Sequence, residues 1–299
     1  MQTTVPSGQK ARKMKVQRGD VGVDHSVQKL TPYRVIGVII LIILALLFTF
    51  PLYWIITGSF KSPQVINAAT PQWFPLEPTI SNYERLFEKP AMTWVWNTVF
   101  LCAMSMLLTC LVAAMGGYAL AKKRFAGRTV IFSIFVMAMA LPKQVILIPL
   151  IREMSSLKLY NTLSAVVYPI VGWPFGVFLI KQFAESIPGE ILEAARIDGA
   201  GELKTFTSIV WEMIKPGVGA LAIFTFISSW NDYFMQLIML SSTKNLTISL
   251  GIAKMQAENS TDYGLIMAGA ALASLPIIIV FIIFQKYFTK GITMGAVKG

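Results

Sequence analysis

Six long apolar runs separated by short polar segments dominate the chain. They extend roughly from Val35 to Ile56, Thr98 to Ala121, Val130 to Ile151, Leu163 to Ile180, Gly217 to Ile238 and Gly264 to Phe284. A helix rises ~1.5 Å per residue, so ~20 apolar residues reach across the hydrocarbon core of a bilayer. Backbone polar groups left unpaired in lipid are too costly to tolerate, and barrel strands would be about half this length and alternate in polarity. The pattern predicts an all-α polytopic membrane protein with six transmembrane helices. It divides the chain into a basic head (1–34), a six-helix domain (35–288) and a short tail (289–299).

Composition agrees: the 299 residues are 55% hydrophobic, only 14% charged, and have a mean hydropathy of +0.62. The net charge of +11 would suit nucleic acid, but its placement reads as topology instead. With the N-terminus inside, eighteen Lys and Arg fall on the inner side and seven on the outer, with Lys143 inside the third run. That asymmetry satisfies the positive-inside rule and predicts that both termini are cytoplasmic. The head carries Lys10, Arg12, Lys13, Lys15 and Arg18, which fits a disordered tail or a segment touching anionic lipid. The first run is too long for a signal-peptide core and follows a polar head, so it reads as a retained anchor. Cys102 and Cys110 stand eight residues apart, ~12 Å along a helix, too far for a disulfide.

Several chemistries lack material. No GxxxxGK[ST] phosphate loop occurs, so ATP binding by this chain is not expected. His25 is the only histidine and lies in the head, which excludes a zinc site, a Ser-His-Asp triad or a histidine proton relay. The chain is expected to be non-catalytic, with no cofactor of its own and no nucleic-acid partner.

The segment from Lys181 to Lys215, KQFAESIPGEILEAARIDGAGELKTFTSIVWEMIK, is too polar to span and too patterned for a linker. It predicts two short helices around a turn, within a cytoplasmic loop of about 184–215. Ser186 would cap the first helix, Pro188 suits its first turn, and Glu190 and Glu193 sit near its positive end. Gly199 and Gly201 supply the break. Ile191, Leu192, Ala195 and Ile197 form a broad apolar surface, suited either to a protein partner or to rest on lipid headgroups.

Glu193, Ala194, Ala195, Gly199 and Ile209 resemble the EAA motif of ABC-importer permeases: EAA, three residues, Gly, nine residues, Ile, one residue, Leu-Pro. Trp211 and Glu212 replace the final Leu-Pro, and Pro216 follows four residues later. Nearly the whole chain from Pro32 to Gly299 resembles the carbohydrate, maltose-type branch of that family, and within it the MalG-like second membrane subunit. EAARIDGAG, SSWNDYFMQLIML from Ser228 to Leu240, and the tail KGITMGAVKG from Lys290 carry the likeness.

The resemblance implies the type I importer permease fold in a bacterial inner membrane. It also implies a homologous second permease, two cytoplasmic ATPases that bind ATP and Mg, an extracytoplasmic solute-binding protein, and a sugar or oligosaccharide substrate. Glu193, Ala194, Ala195, Arg196, Asp198 and Gly199 would form the ATPase-coupling helix. Gly295, Val297, Lys298 and Gly299 would reach between the ATPases, the alternative being a frayed basic terminus. Leu246, Ile248 and Leu250, alternating with polar residues, would sit in the loop that docks the binding protein; an ordinary loop packed on its own domain is the alternative.

Ionisable groups inside spans usually face a wet cavity, which singles out Lys143 and Asp232 as either a structural ion pair or a pathway lining. Sugars are held by hydrogen bonds to hydroxyls and by aromatic faces, so Gln144, Trp173, Trp230 and Asn231 join them as pathway candidates. Prolines 142, 149, 169, 174 and 276 interrupt spans three, four and six, as breaks in a transporter core do. Ala113 and Gly117 offer a small-xxx-small face for close helix packing. Two rival readings remain: an importer permease for a non-sugar solute, and a secondary transporter. The latter should carry internal repeats and intramembrane ion-coupling residues, of which the sequence shows no convincing example.

Overall fold

The computed structural model describes residues 32–258 and 262–296, with side chains to residue 284. Two compact units result, 1–49 and 50–299. Helix α1 (Pro32–Ser59) supplies the described part of the first, where Val35 to Leu44 and Leu46 to Phe48 expose apolar side chains, as a lipid-facing helix must. All later elements belong to the second unit.

In order these are the short α2 (Pro63–Ile66), α3 (Ser81–Glu88) and the long α4 (Ala91–Lys122). Next come α5 (Arg128–Met139), a 3-10 turn (Lys143–Ile146), α6 (Leu147–Ser156), α7 (Ser164–Val171), α8 (Pro174–Glu185) and α9 (Gly189–Ile197). The chain then forms α10 (Glu202–Thr205), a π turn (Phe206–Val210), α11 (Trp211–Asn231), α12 (Tyr233–Met239), a 3-10 turn (Thr243–Asn245), α13 (Ile248–Glu258) and α14 (Tyr263–Ala296). Among the described residues, five helices are long and apolar enough to cross a bilayer, and α5 with α6 makes a sixth if the bent pair is one span.

That bend, 103° at the break, departs from the straight third span expected from Val130 to Ile151. The cause is Leu141-Pro142. A proline disfavours helical backbone in the residue before it, and Pro142 itself is extended at φ −61, ψ 133. Pro149 is harmless because it falls in the first turn of α6, where its missing N–H has no intrahelical acceptor. The fourth span breaks likewise at Trp173, before Pro174 opens α8, whereas Pro276 lies inside an unbroken α14.

The fifth span starts and ends earlier than hydropathy indicates. The expected second short helix of the polar segment is continuous with it, running from Glu202 through the π turn and past Pro216 to Asn231. It stops at Asp232, whose Oδ1 accepts from the Met235 N–H at 3.2 Å and so caps α12.

Helix α4 is the axis of the unit. Its Ala91 end joins an apolar core with Leu86, Val166, Met239 and Ile248; its Lys122 end joins a second core with Ile180, Val210, Ile214 and Leu221. Close approach to α8 rests on small residues: a Cβ on Gly117 would lie 2.8 Å from Lys181 N, and one on Gly176 would lie 3.2 Å from Ala113 Cβ. Cys102 and Cys110 are free and buried in these cores.

At the Ala91 end, buried Asn82 Nδ2 donates to Ser59 O at 2.9 Å and Lys61 O at 2.8 Å, and Arg85 pairs with Asp262 before α14. Asn82→Ala leaves both carbonyls unpaired in a site closed to water. We expect a loss of about 1–3 kcal/mol, read as a lower thermal midpoint of the detergent-solubilised protein.

Candidate functional site

Two sets of polar side chains stand out against the apolar helices, one at the seam between the two cores and one at the Lys122 end of α4.

At the seam, three helix breaks converge. Lys143 opens the 3-10 turn after Pro142, Trp173 precedes α8, and Asp232 links α11 to α12. Each break frees backbone and side chain to turn inward, and the three residues line one cavity of about 220 Å³ with Thr109, Thr225 and Ser228. Lys143 Nζ lies 3.8 Å from Asp232 Oδ2 and 4.9 Å from the centroid of Trp173. The expected ion pair and the expected cavity lining are therefore the same pair of residues. The remaining wall is apolar, including Leu150, Ile170, Phe175 and Leu221.

Three other pathway candidates fall elsewhere. Trp230 is 3% exposed and stacks on Phe226 in the core at the Ala91 end. Asn231 turns back to donate to Ile227 O at 3.0 Å, and Gln144 is exposed; neither lines the cavity. Successive helical residues differ by ~100° in direction, so neighbours of Asp232 in sequence need not share its cavity. Thr109, Thr225 and Ser228 escaped the sequence reading because hydroxyls within apolar runs are common; the spacing of 225 and 228 on one face was the available signal.

At the Lys122 end, α9 carries the EAA residues. It begins at Gly189, directly after an extended Pro188 and not under a Ser186 cap: Ser186 Oγ donates to Phe183 O at 2.7 Å, at the end of α8. The helix ends where Gly199 takes φ +74, a left-handed conformation that a glycine adopts without strain. Glu193, Ala194, Arg196, Asp198 and Gly199 are exposed. Ala195 is instead buried, 5% exposed, and Leu192, three residues earlier on the same helix face, packs against the core at this end. The expected single apolar surface thus splits, with Leu192 and Ala195 inward and Ile197 outward at 86% exposure.

Two lysines tie this segment to α4. Lys122 Nζ donates to Glu185 O at 3.0 Å and Ile187 O at 2.6 Å on the entry side of α9. Lys123 pairs with Glu202 on the exit side, where Arg196 also stands 3.6 Å from Glu202. Burial pulls the Lys123 ammonium toward a lower pKa, but its bonds to Glu202 and Tyr118 outweigh that and leave it raised. In the sequence alone both lysines register only as topology charges.

The docking expectation for Leu246, Ile248 and Leu250 needs correction. They are 3%, 0% and 5% exposed, and Ile248 N donates to Thr98 Oγ1 at 2.9 Å, so these side chains are core. The segment folds onto its own domain: Trp94 Nε1 donates to Thr243 O at 2.8 Å, and Thr247 Oγ1 bonds Gln236 within the interior. Of the tail, Gly295 falls in the last turn of α14, while Val297, Lys298 and Gly299 lie outside the described residues, as does the basic head before residue 32.

A family model described as "Binding-protein-dependent transport system inner membrane component" matches residues 110–294. The arabinooligosaccharides transport system permease protein AraQ of Halalkalibacterium halodurans is 34% identical over 260 residues, covering 86% of this chain and 93% of that protein. The trehalose/maltose transport system permease protein MalG of Thermococcus litoralis is 28% identical, covering 89% and 97% respectively. In fold, the chain is similar to one in the crystal structure of a bacterial ABC transporter involved in the import of the acidic polysaccharide alginate. The TM-score is 0.76 at 24% identity, covering 86% of this chain and 96% of that one.

Proposed function

This chain belongs to the family of binding-protein-dependent transport system inner membrane components, and from that premise we propose that it is half of the translocation path of an ATP-driven sugar or oligosaccharide importer. The observation that carries this reading is the pairing of relatives named for saccharide transport with an exposed, glycine-terminated EAA segment tied to the central helix.

In this reading both termini and the EAA segment face the cytoplasm, and a homologous second permease completes the path. A binding protein delivers the sugar on the opposite face. Two ATPases bind ATP and Mg and do the hydrolysis, so this subunit performs no bond chemistry. Glu193, Ala194, Arg196, Asp198 and Gly199 contact an ATPase, and its closure reaches the spans through Lys122, Lys123 and the continuous helix from Glu202 to Asn231. The broken helices then change packing around the cavity, giving alternating access. The C-terminal residues Gly295, Val297, Lys298 and Gly299 add a second ATPase contact.

The test is ATP hydrolysis and sugar uptake by the complex with its second permease and ATPase, reconstituted with the binding protein. Changing Glu193→Ala together with Gly199→Pro should remove binding-protein-stimulated hydrolysis and uptake. Proline has no access to φ +74, so the turn that presents the segment is lost. Undiminished stimulation and uptake in this variant would mean that the segment is an interfacial helix with no coupling role.

A further inference from the structure

We propose that the cavity at the seam is a subsite for one neutral sugar unit, with Trp173 as its platform and the Lys143 ammonium as an internal stand-in for the sugar. The proposal rests on the saccharide-import reading above and adds to it where in this subunit the sugar is held and which chemical class is accepted.

Three features lead there. The first is the set of groups. An indole, a carboxylate, an ammonium and hydroxyls on Thr225 and Ser228 converge on one space otherwise walled by apolar side chains. A sugar ring offers C–H bonds on its faces and hydroxyls around its edge. It takes the first against an aromatic face and the second against donors and acceptors, as pocket ligands generally do. Thr109 adds an independent sign: it is 4% exposed, lines the same cavity, and its Oγ1 has no hydrogen-bond partner among the described residues. Ser105 and Ser229 also carry buried unpartnered hydroxyls, but of the three only Thr109 lines the cavity, where a ligand hydroxyl can satisfy it.

The second feature is size. About 220 Å³ falls below the ~300 Å³ at which pockets begin to enclose drug-sized ligands, so the space suits one ring of a saccharide and not several. An oligosaccharide would pass through it one unit at a time.

The third is charge and its arrangement. Lys143 Nζ stands over Trp173 at 4.9 Å and only 3.8 Å from Asp232 Oδ2, with its side chain 43% exposed. An exposed ammonium held at that distance is a weak tie. It covers the aromatic face and faces the carboxylate, the two groups that a sugar would use. When sugar hydroxyls reach Asp232 and the ring reaches the indole, the ammonium swings aside and becomes a donor. Lys143 and Asp232 sum to zero charge, so a uronate would leave its own carboxylate unbalanced, whereas a neutral sugar leaves the net charge of the site at zero.

The test uses the full complex in nanodiscs without the binding protein, with saturation-transfer NMR to arabinotriose, maltotriose and an alginate trisaccharide. The wild type should transfer to the neutral sugars and weakly to the acidic one. Trp173→Ala should weaken neutral-sugar binding by about tenfold or more, the scale of one lost anchor contact, and Trp173→Phe should restore most of it. Asp232→Asn keeps the Oδ1 cap on Met235 but leaves the Lys143 charge unbalanced. It should reverse the order of preference toward the acidic trisaccharide, a change that mere loss of packing does not produce. If Trp173→Ala does not assemble, Ser228→Val carries the binding test in its place. Variants that bind neutral sugars as the wild type does, or an unchanged preference in Asp232→Asn, overturn the subsite. Uptake by the wild-type complex with its binding protein separates the two readings: sugar uptake with unaffected variants removes only the subsite, and absence of any saccharide uptake removes both.

Discussion

Gly117→Leu is expected to abolish recovery of folded protein from the membrane, and Gly116→Ala, one residue away, to be neutral or mildly stabilising. The contrast follows from what each new carbon meets. A Cβ on Gly117 would lie 2.8 Å from the backbone N of Lys181 and 2.9 Å from Ile180 Cβ, and neither atom can rotate out of the way. A Cβ on Gly116 would meet only the methyls of Val177, at 3.7 and 3.8 Å, in ordinary contact. Even Gly117→Ala should cost about 1–3 kcal/mol through forced separation of α4 from α8. Gly116→Ala removes a helix-interior glycine, worth up to about 1 kcal/mol in propensity. Size-exclusion thermal melts of the solubilised protein read both. A Gly117→Leu protein that melts like the wild type would show that α4 and α8 do not pack through this glycine.

That contact was half visible in the sequence. Ala113 and Gly117 announced a close-packing face but not its partner, since small residues recur in many membrane helices. Five of the apolar runs were legible as spans because length and composition alone decide them. The third was legible as a run, and Pro142 marked its break. Nothing in one sequence reports the 103° between the halves, because that angle is set by packing against the other helices.

Among the candidate residues, Lys143 and Asp232 were found for a sound reason: charge inside a span has few places to go except a wet cavity or an opposite charge. Trp230 and Asn231 were singled out as an aromatic face and a hydrogen-bonding amide that suit a sugar, but neither lines the cavity that Asp232 lines. Leu246, Ile248 and Leu250 failed differently. Their alternation with polar residues marked positions that are buried, but Ile248 and Leu250 fall in α13, where a spacing of two does not make one face, and alternation alone does not say whether such positions meet a partner or the protein itself. Thr98 Oγ1, 150 residues away, accepts the Ile248 N–H and answers the question in favour of the protein's own core. Ala195 makes the same point on a helix. The motif letters treat it as one with Ala194, and the helical turn sends it inward.

Lys122→Met is expected to reduce binding-protein-stimulated ATP hydrolysis far more than Lys123→Met, although the two lysines are adjacent and carry equal charge. Lys122 Nζ donates to the carbonyls of Glu185 and Ile187, at 3.0 and 2.6 Å, where α8 has ended and its last carbonyls have no helical donor. Hydrogen bonds from a charged donor contribute about 1.5–3 kcal/mol each, and methionine keeps the length of the side chain while removing both. The entry to the EAA segment then loses its tie to α4. Lys123 pairs with Glu202, whose side chain is 62% exposed, and such pairs contribute only about 0–1 kcal/mol. Stimulated hydrolysis by the reconstituted complex should therefore fall about tenfold or more in Lys122→Met, the equivalent of one such bond. In Lys123→Met it should change by less than about fivefold. Uptake should follow hydrolysis in both. Equal losses in the two variants would mean that the segment is held by the positive charge at this end of α4 and not by the carbonyls that Lys122 caps, and motion of the ATPase would then have to enter the spans chiefly through the helix that begins at Glu202.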